Sequence, residues 1–503
     1  MRYGSSKEEP ELAEKIASIE ISDFRAFPSL MPALIPLEGK NLLVWGENGS
    51  GKSTIYRALR GMFSVTAQDI SPMGNVFSNP SEPSVKVNLT DGTNLNWSKE
   101  GHPTGQVTGA ARKSAFLSHS RLIEMSRGKT TAEPPDLFEV AVEKLLSDYE
   151  ATVAGGGKRT VGELWKNVND ALARRVQDSR GSRRPTDYIP KVKEACVDFN
   201  SGMGQALTAL ETHTKPLMRR MLDVLQQDGL DLVGFTFFGV SYDEMAQELR
   251  NQNLTANVKF RDHNLPAPAS FLNEARLSAL AIAIYLAGRL ACVPQNDTAL
   301  KLLVLDDLLI SLDYSHRRPV LEVIGDLFKE WQVVLLTHDR FWFELARGQL
   351  AEQPWKVIEI YEKVDAEGLL RPVIWETQNN LVDETLKQAR RFLDENHPAA
   401  AANYARTACE LTLRRYCARH SVKFGYTDDP QEIKVDMLLQ QGKAHAANND
   451  ARKAAFAGID SHKKLILNPL SHNPTQPIVK ADVEAAIAAV EALVLACKKD
   501  ADL

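Results

Sequence analysis

The chain has 503 residues, 44% of them hydrophobic and 25% charged, with a formal net charge of −5. That length suits about two to four globular domains, and the acidic balance excludes a surface that is cationic all round, so any nucleic-acid contact must be local. The five cysteines are scattered with no CxxC pair, which excludes a disulfide framework or a cysteine zinc site and indicates a reducing, cytoplasmic setting. The first residues, MRYGSSKEEPELAEK, lack the apolar core of a signal peptide. The longest apolar run, residues 277–288, is too short to span a bilayer and reads as a buried helix, so no membrane contact is expected.

In chain order, residues 17–24 (ASIEISDF) and 41–45 (NLLVW) read as strands, being apolar runs bounded by turn residues. GENGSGKST then opens a helical run, IYRALRGMF. Residues 84–98 read as a hairpin turning at Asp91-Gly92. Residues 115–125 (AFLSHSRLIEM) read as a strand and a helix start. From 135 to 227 the pattern is helical: one helix over 135–153 stopping at Gly155-Gly156-Gly157, a second over 160–176, a loop SRGSRRP, and a third from 188 to 227. Strands return at 232–242 and 257–262, and a strong helix starts at Leu272. KLLVLDDLLISLD and WQVVLLTHD read as buried strands with loops at their C-terminal ends. Beyond Trp375 the composition turns to Ala, Leu and Arg, and five helices are expected: 381–396, 398–420, near 430–441, 449–467 and 479–497. The expected divisions are 1–134, 135–227, 228–377 and 378–503.

Gly46-Glu47-Asn48-Gly49-Ser50-Gly51-Lys52-Ser53 fits G-x-x-x-x-G-K-[ST] and lies between a strand and a helix, with Thr54 following. The backbone N–H groups of such a loop point at phosphate oxygens, and the helix N-terminus adds positive potential. Lys52 then reaches the β- and γ-phosphates of ATP, and the Ser53 hydroxyl suits Mg²⁺. Asp306 ends the buried strand 302–306 and suits the same ion, while Asp307 is placed to orient or deprotonate the attacking water.

These pieces resemble the ABC-type ATPase heads of the SMC, RecF and OLD-like superfamily. IEISDFRAF with the P-loop resembles their N-terminal lobe; LVLDD, ISLD and LLTHD resemble their Walker B, D-loop and switch histidine; SFLNEARLSALAIAIYLAGRL (270–290) lies where their signature helix falls. The implied fold is α/β: an ABC-type P-loop ATPase head split by a short helical insertion, followed by an all-α C-terminal bundle. The implied cofactors are ATP and Mg²⁺. Residues 46–54 would bind phosphate, Asp306 would serve the metal, and Asp307 would stand where the family has Glu. His338 would sense the γ-phosphate, Asp313 would belong to the D-loop, and His119 would take the metal-side Q-loop position. Asn273, in the signature position, would meet the ATP held by a second head, so pairing into a homodimer or higher oligomer is implied. Asn273 also suits the N-cap of the helix after it.

The insertion is too short for a long coiled-coil arm, since about 35 helical residues span only about 50 Å; a short helical arm is expected. Arg174, Arg175, Arg180, Arg183 and Arg184 fall within eleven residues. They suit a phosphate-contacting patch on DNA or RNA, or a solvated loop. The C-terminal region resembles the HEPN superfamily of helical domains, many of them RNases. Asn468 and His472 match that family's motif, Leu467 stands at its Arg, and Lys463 or Lys464 lies one turn upstream. Turn and capping roles for Asn468 and His472 are the other reading. Together the resemblances imply a sensor or regulator ATPase of bacterial anti-phage defence acting on a nuclease effector. The alternatives are an ATP-gated RNase toxin or a RecF-like repair ATPase.

Overall fold

The apolar runs around residues 41–46, 302–306 and 332–337 become neighbouring strands of one six-stranded sheet. Its order is Leu370–Thr377, Trp355–Val364, Asn41–Gly46, Gln332–Thr337, Leu302–Asp306 and Ala115–Ser118. From Trp355–Val364 to Ala115–Ser118 every adjacent pair is parallel. The computed structural model describes residues 14–126, 133–178, 188–222, 229–293, 298–308, 312, 314–350, 354–364, 368, 370–377, 381–420, 422–423, 435–446, 449–466 and 479–498. Two units separate by their internal contacts, residues 1–376 and 377–503.

The continuous apolar character of these strands has a direct cause. Leu43, Trp45, Leu303, Leu305, Val333 and Leu335 enter one hydrophobic core. The alternating residues Leu42, Val44, Leu302, Val304, Val334 and Leu336 enter another. A strand covered on both faces cannot alternate apolar with polar residues. Burying each such side chain contributes about 1.5–3 kcal/mol, so register is strongly determined.

The second core holds the helix Lys52–Met62 and a four-stranded antiparallel sheet, in the order Ala33–Pro36, Ile16–Ser22, Ser84–Leu89, Asn94–Trp97. Trp97 is fully buried, and its indole N–H donates to the Gln68 carbonyl at 3.0 Å. It lies so close to the P-loop helix that a Cβ on Gly61 would meet its ring at 2.2 Å. Only glycine lets this helix and sheet approach.

The other core joins the sheet to the helices Val161–Asp178, Tyr188–Leu222 and Glu274–Cys292. Glu274–Cys292 is long and apolar enough to cross a membrane by length and composition, but 72% of that window is buried inside the protein. The single helix expected over 135–153 is not what forms. A short helix, Phe138–Val140, runs into one π turn, Ala141–Leu145. Glu150–Thr152 then pairs as a hairpin with Lys158–Thr160. The two glycines at the turn, with φ of 99° and 82°, reverse the chain there. The expected arm therefore shares its core with one face of the sheet.

Residues 381–498 form five helices among the described residues: Leu381–Asp394, Pro398–Arg419, Val435–His445, Asp450–Ile466 and Lys480–Lys498. The third is described from Val435, and its expected start near 430 falls on residues 430–434, which lie outside the described set. The five share one core. Arg390 binds Glu491 through two N–H donors at 2.9 and 2.7 Å, tying the first helix to the last.

Gly61→Ala is expected to cost about 1–3 kcal/mol through overpacking against Trp97. The thermal midpoint of the variant and its recovery in Gly61→Ala/Trp97→Phe check this. A variant as stable as the parent would mean that the indole moves aside freely.

Candidate functional site

A parallel sheet covered on both faces leaves its strand ends for polar chemistry. The register brings the C-terminal ends of five strands level: Asp306 pairs with Ser118 and Leu336, Thr337 with Trp45, and Ile360 with Gly46. Gly46 ends the central strand. Glu47, Asn48 and Gly49 curl outward, exposed, and the Ser50 N–H returns to the Glu47 carbonyl at 3.2 Å. Gly51 caps the helix Lys52–Met62 at φ 102°, with Phe27 and Ala26 against the space a side chain would fill. That conformation strains any L-residue. The Thr54 N–H donates to the Gly51 carbonyl at 2.9 Å, starting the helix.

Lys52 is buried, and its Nζ donates to the carbonyls of Gly46 at 2.6 Å and Glu47 at 2.8 Å. Burial holds its ammonium below the usual range, opposed by Asp307, Asp306 and Glu47. Ser53 Oγ donates to Asp306 Oδ2 at 3.1 Å. Asp306 is only 8% exposed, and burial, then the neighbouring Asp307, push its carboxyl up to about 6. Its second oxygen, Oδ1, is buried with no hydrogen-bond partner, and so is Ser50 Oγ. Buried polar atoms are normally paired, so two orphans beside a phosphate-type loop fit a bound ion and phosphate. The described residues hold no group of three or more His, Cys, Asp or Glu able to cage a metal. Ser53 and Asp306 would hold Mg²⁺ with phosphate and water completing its shell, as that ion prefers.

Asp307 adopts φ 52°, and its N–H donates to the Leu336 carbonyl at 2.9 Å. Its Oδ1 accepts the His338 backbone N–H at 2.8 Å. The His338 Nδ1 lies 3.0 Å from the same oxygen but off the line of a hydrogen bond. His119 is half-buried and begins the helix His119–Ser126, one residue past Ser118, the register partner of Asp306. Asn273 is exposed and caps the helix Glu274–Cys292, its side chain accepting the Arg276 N–H at 3.0 Å. Glu274, the first helical residue, adds a negative charge at that N-terminus.

Several site residues were not singled out in the sequence. Arg57, on the P-loop helix, acts on Asp306 and on Arg25, whose guanidinium is lowered by burial and then by Arg57. The signal for Arg25 was its place in DFRAF. Asp339 caps the helix Arg340–Gln349 by accepting the Trp342 N–H at 3.0 Å, and Arg317 donates to its other oxygen at 2.6 Å. An acid before an apolar-periodic run is the ordinary N-cap signal. The Trp45 indole donates to the His338 carbonyl at 3.2 Å, fixing the histidine loop to the strand before the P-loop. No pattern marks that tryptophan.

Arg174 and Arg175 lie on the helix Val161–Asp178, with side chains outside the described set, and Arg180, Arg183 and Arg184 lie outside the described residues. Asp313, Asn468 and His472 also lie outside them. Lys463 and Lys464 lie on the helix Asp450–Ile466 with undescribed side chains.

No protein-family model matches the chain, and no curated protein matches it. Among solved structures it is similar to an Smc head domain with an extended coiled coil bound to the C-terminal domain of ScpA, from Pyrococcus furiosus. That match has 13% identity and a TM-score of 0.41, covering 76% of this chain and 99% of that one. It is also similar to the recombination mediator protein RecF with ATP, at 12% identity and a TM-score of 0.45, covering 73% and 100%. Likeness at this level carries no function, and the functional reading rests on the side chains above.

Proposed function

We propose that this protein is an ABC-type ATPase that binds ATP with Mg²⁺ at residues 46–54 and hydrolyses it with two heads paired. The observation that carries the reading is the Ser53–Asp306 bond beside a buried, unpartnered Asp306 oxygen. Lys52 leaves the loop carbonyls for phosphate oxygens, exchanging neutral acceptors for charged ones. Bound Mg²⁺ supplies charge neutralisation at the phosphates. Asp307 accepts the proton of the attacking water, and the His338 N–H holds its carboxylate in place. Asn273 and the N-terminus behind it meet the phosphates on the opposite head. The regulatory role, control of a nuclease effector in anti-phage defence, rests on analogy with standalone ATPases that carry the same motifs. Its test is an effector that co-purifies and a protection phenotype lost in Lys52→Ala.

Lys52→Ala is expected to weaken ATP binding by about a hundredfold or more, since a charged contact is lost from a buried site. Asp307→Asn should keep binding and lower turnover by about 10²–10⁴-fold. With ATP, the same variant should double in mass, read by light scattering. Asp307→Asn with parental turnover would remove Asp307 from the mechanism.

The Asp306 carboxyl also makes a pH-dependent stability prediction. Its folded value of about 6 lies above the ordinary 3.8, so ionising it opposes folding, and that cost grows as pH rises through about 6. Asp306→Asn should therefore stabilise the nucleotide-free protein at pH above about 7, by up to about 3 kcal/mol, and add nothing below about pH 4. Thermal midpoints of both proteins across this range check it. A gain independent of pH would show that the carboxylate charge is not the cause.

A further inference from the structure

The parallel sheet has a second edge, opposite the phosphate loop. Lys301 stands just before the strand Leu302–Asp306, and Asp306 ends it. A cavity of about 380 Å³ lies at the Lys301 end, within the size usual for small-molecule sites. The C-terminal part of the helix Tyr188–Leu222, the ends of Glu274–Cys292 and Tyr314–Leu327, and residues 329–331 enclose it. Leu217, Leu290, Val293 and Trp331 form an apolar wall. Trp331 is only 4% exposed and packs edge-on against Phe328, at 5.2 Å between ring centres. Its backbone N–H donates to the Phe328 carbonyl at 2.9 Å, but its indole N–H has no acceptor among the described residues. A donor on so deeply buried a residue normally has a partner, so an acceptor held inside the cavity would complete it.

His213 lines the same cavity and also has no hydrogen-bond partner among the described residues. Burial holds its imidazole below the usual range, so at neutral pH it is uncharged and keeps one N–H to donate. Lys301 adds an ammonium whose side chain is 1% exposed, 3.5 Å from the exposed acid Glu330. Arg220 donates to Asp326 at 2.6 Å, both of them exposed. In the lining, the cations Arg220, Lys301 and Lys329 meet the acids Asp326 and Glu330, which leaves one positive charge in excess. We infer that this cavity binds a small monocarboxylate with an apolar body. The carboxylate accepts from the Trp331 and His213 N–H groups and balances the excess charge. The body leaves water against Leu217, Leu290 and Val293. A doubly charged phosphate would exceed the charge to be balanced, and acetate would leave the apolar wall wet. The body is either an aliphatic chain or an aromatic ring, and the probes below separate the two.

The test is calorimetry on the full chain at neutral pH with octanoate, phenylpropionate, octanol and acetate. At least one of the first two is expected to bind, and the tighter of them names the body. Octanol, with the body but no charge, and acetate, with the charge but no body, should each bind at least about tenfold more weakly. Trp331→Phe keeps the packing, removes only the indole donor, and should weaken binding about tenfold. Leu327→Trp narrows the cavity from a side chain that is 39% exposed and should abolish binding in a fold that is not at risk. Arg220→Gln, also exposed, should give a smaller loss. Thermal midpoints confirm that each variant is folded. No binding of octanoate or phenylpropionate at millimolar concentration overturns the inference. So does binding of octanol as tight as that of octanoate, or carboxylate binding unchanged in both Trp331→Phe and Leu327→Trp.

Discussion

Burial of the central parallel sheet on both faces is the constraint from which the site follows. Strands that feed Leu42 and Val44 into one core and Leu43 and Trp45 into the other have no lateral face left for charge. Polar groups are pushed to the strand ends. Because the strands run parallel and in register, those ends lie at one edge. Ser118, Asp306, Thr337, Gly46 and Glu359 are all within a residue or so of it. The P-loop geometry and the acid pair are therefore two results of one packing decision.

That edge carries unfavourable electrostatics in the ligand-free chain. Two carboxylates sit side by side, one of them buried with an unpartnered oxygen. Lys52 is held on the carbonyls of its own loop, with its charge disfavoured by burial. Each of these tensions falls when a cation reaches the acids and phosphate reaches the lysine. Binding and stability are then linked, since a ligand that relieves native-state strain stabilises the fold by mass action. Sites of this kind commonly oppose stability in the empty protein.

Much of this was legible because the signals were local. The strand, glycine turn and helix around Lys52 each follow from a few adjacent residues, and the apolar runs before Asp306 and Thr337 have no alternative outlet. The helices from Leu381 to Lys498 were legible from amphipathic period and from Pro398 at a helix start. Other features depend on partners distant in sequence. Trp355–Val364 begins as an apolar strand beside Asn41–Gly46 but ends in YEKV, exposed, so its composition is mixed. The hairpin at 150–160 competes with a helical pattern and forms because its glycines accept positive φ. Trp45 and Arg57 became visible as site residues only when the strands were placed side by side.

The acid after Asp306 illustrates how local backbone and chemistry are joined. A non-glycine residue at φ 52° is uncommon, but aspartate is among the side chains that tolerate it best. There the Asp307 N–H reaches Leu336 and its carboxylate accepts the His338 N–H, so both ends of the residue are tied to the neighbouring strand Gln332–Thr337 and its exit loop. A glutamate would carry its carboxylate one methylene past that N–H. The shorter acid thus gives up reach for a fixed position. It also couples acid and histidine mechanically: a shift of the His338 loop, itself held by the Trp45 indole and the Asp339 cap, must move the Asp307 carboxylate with it.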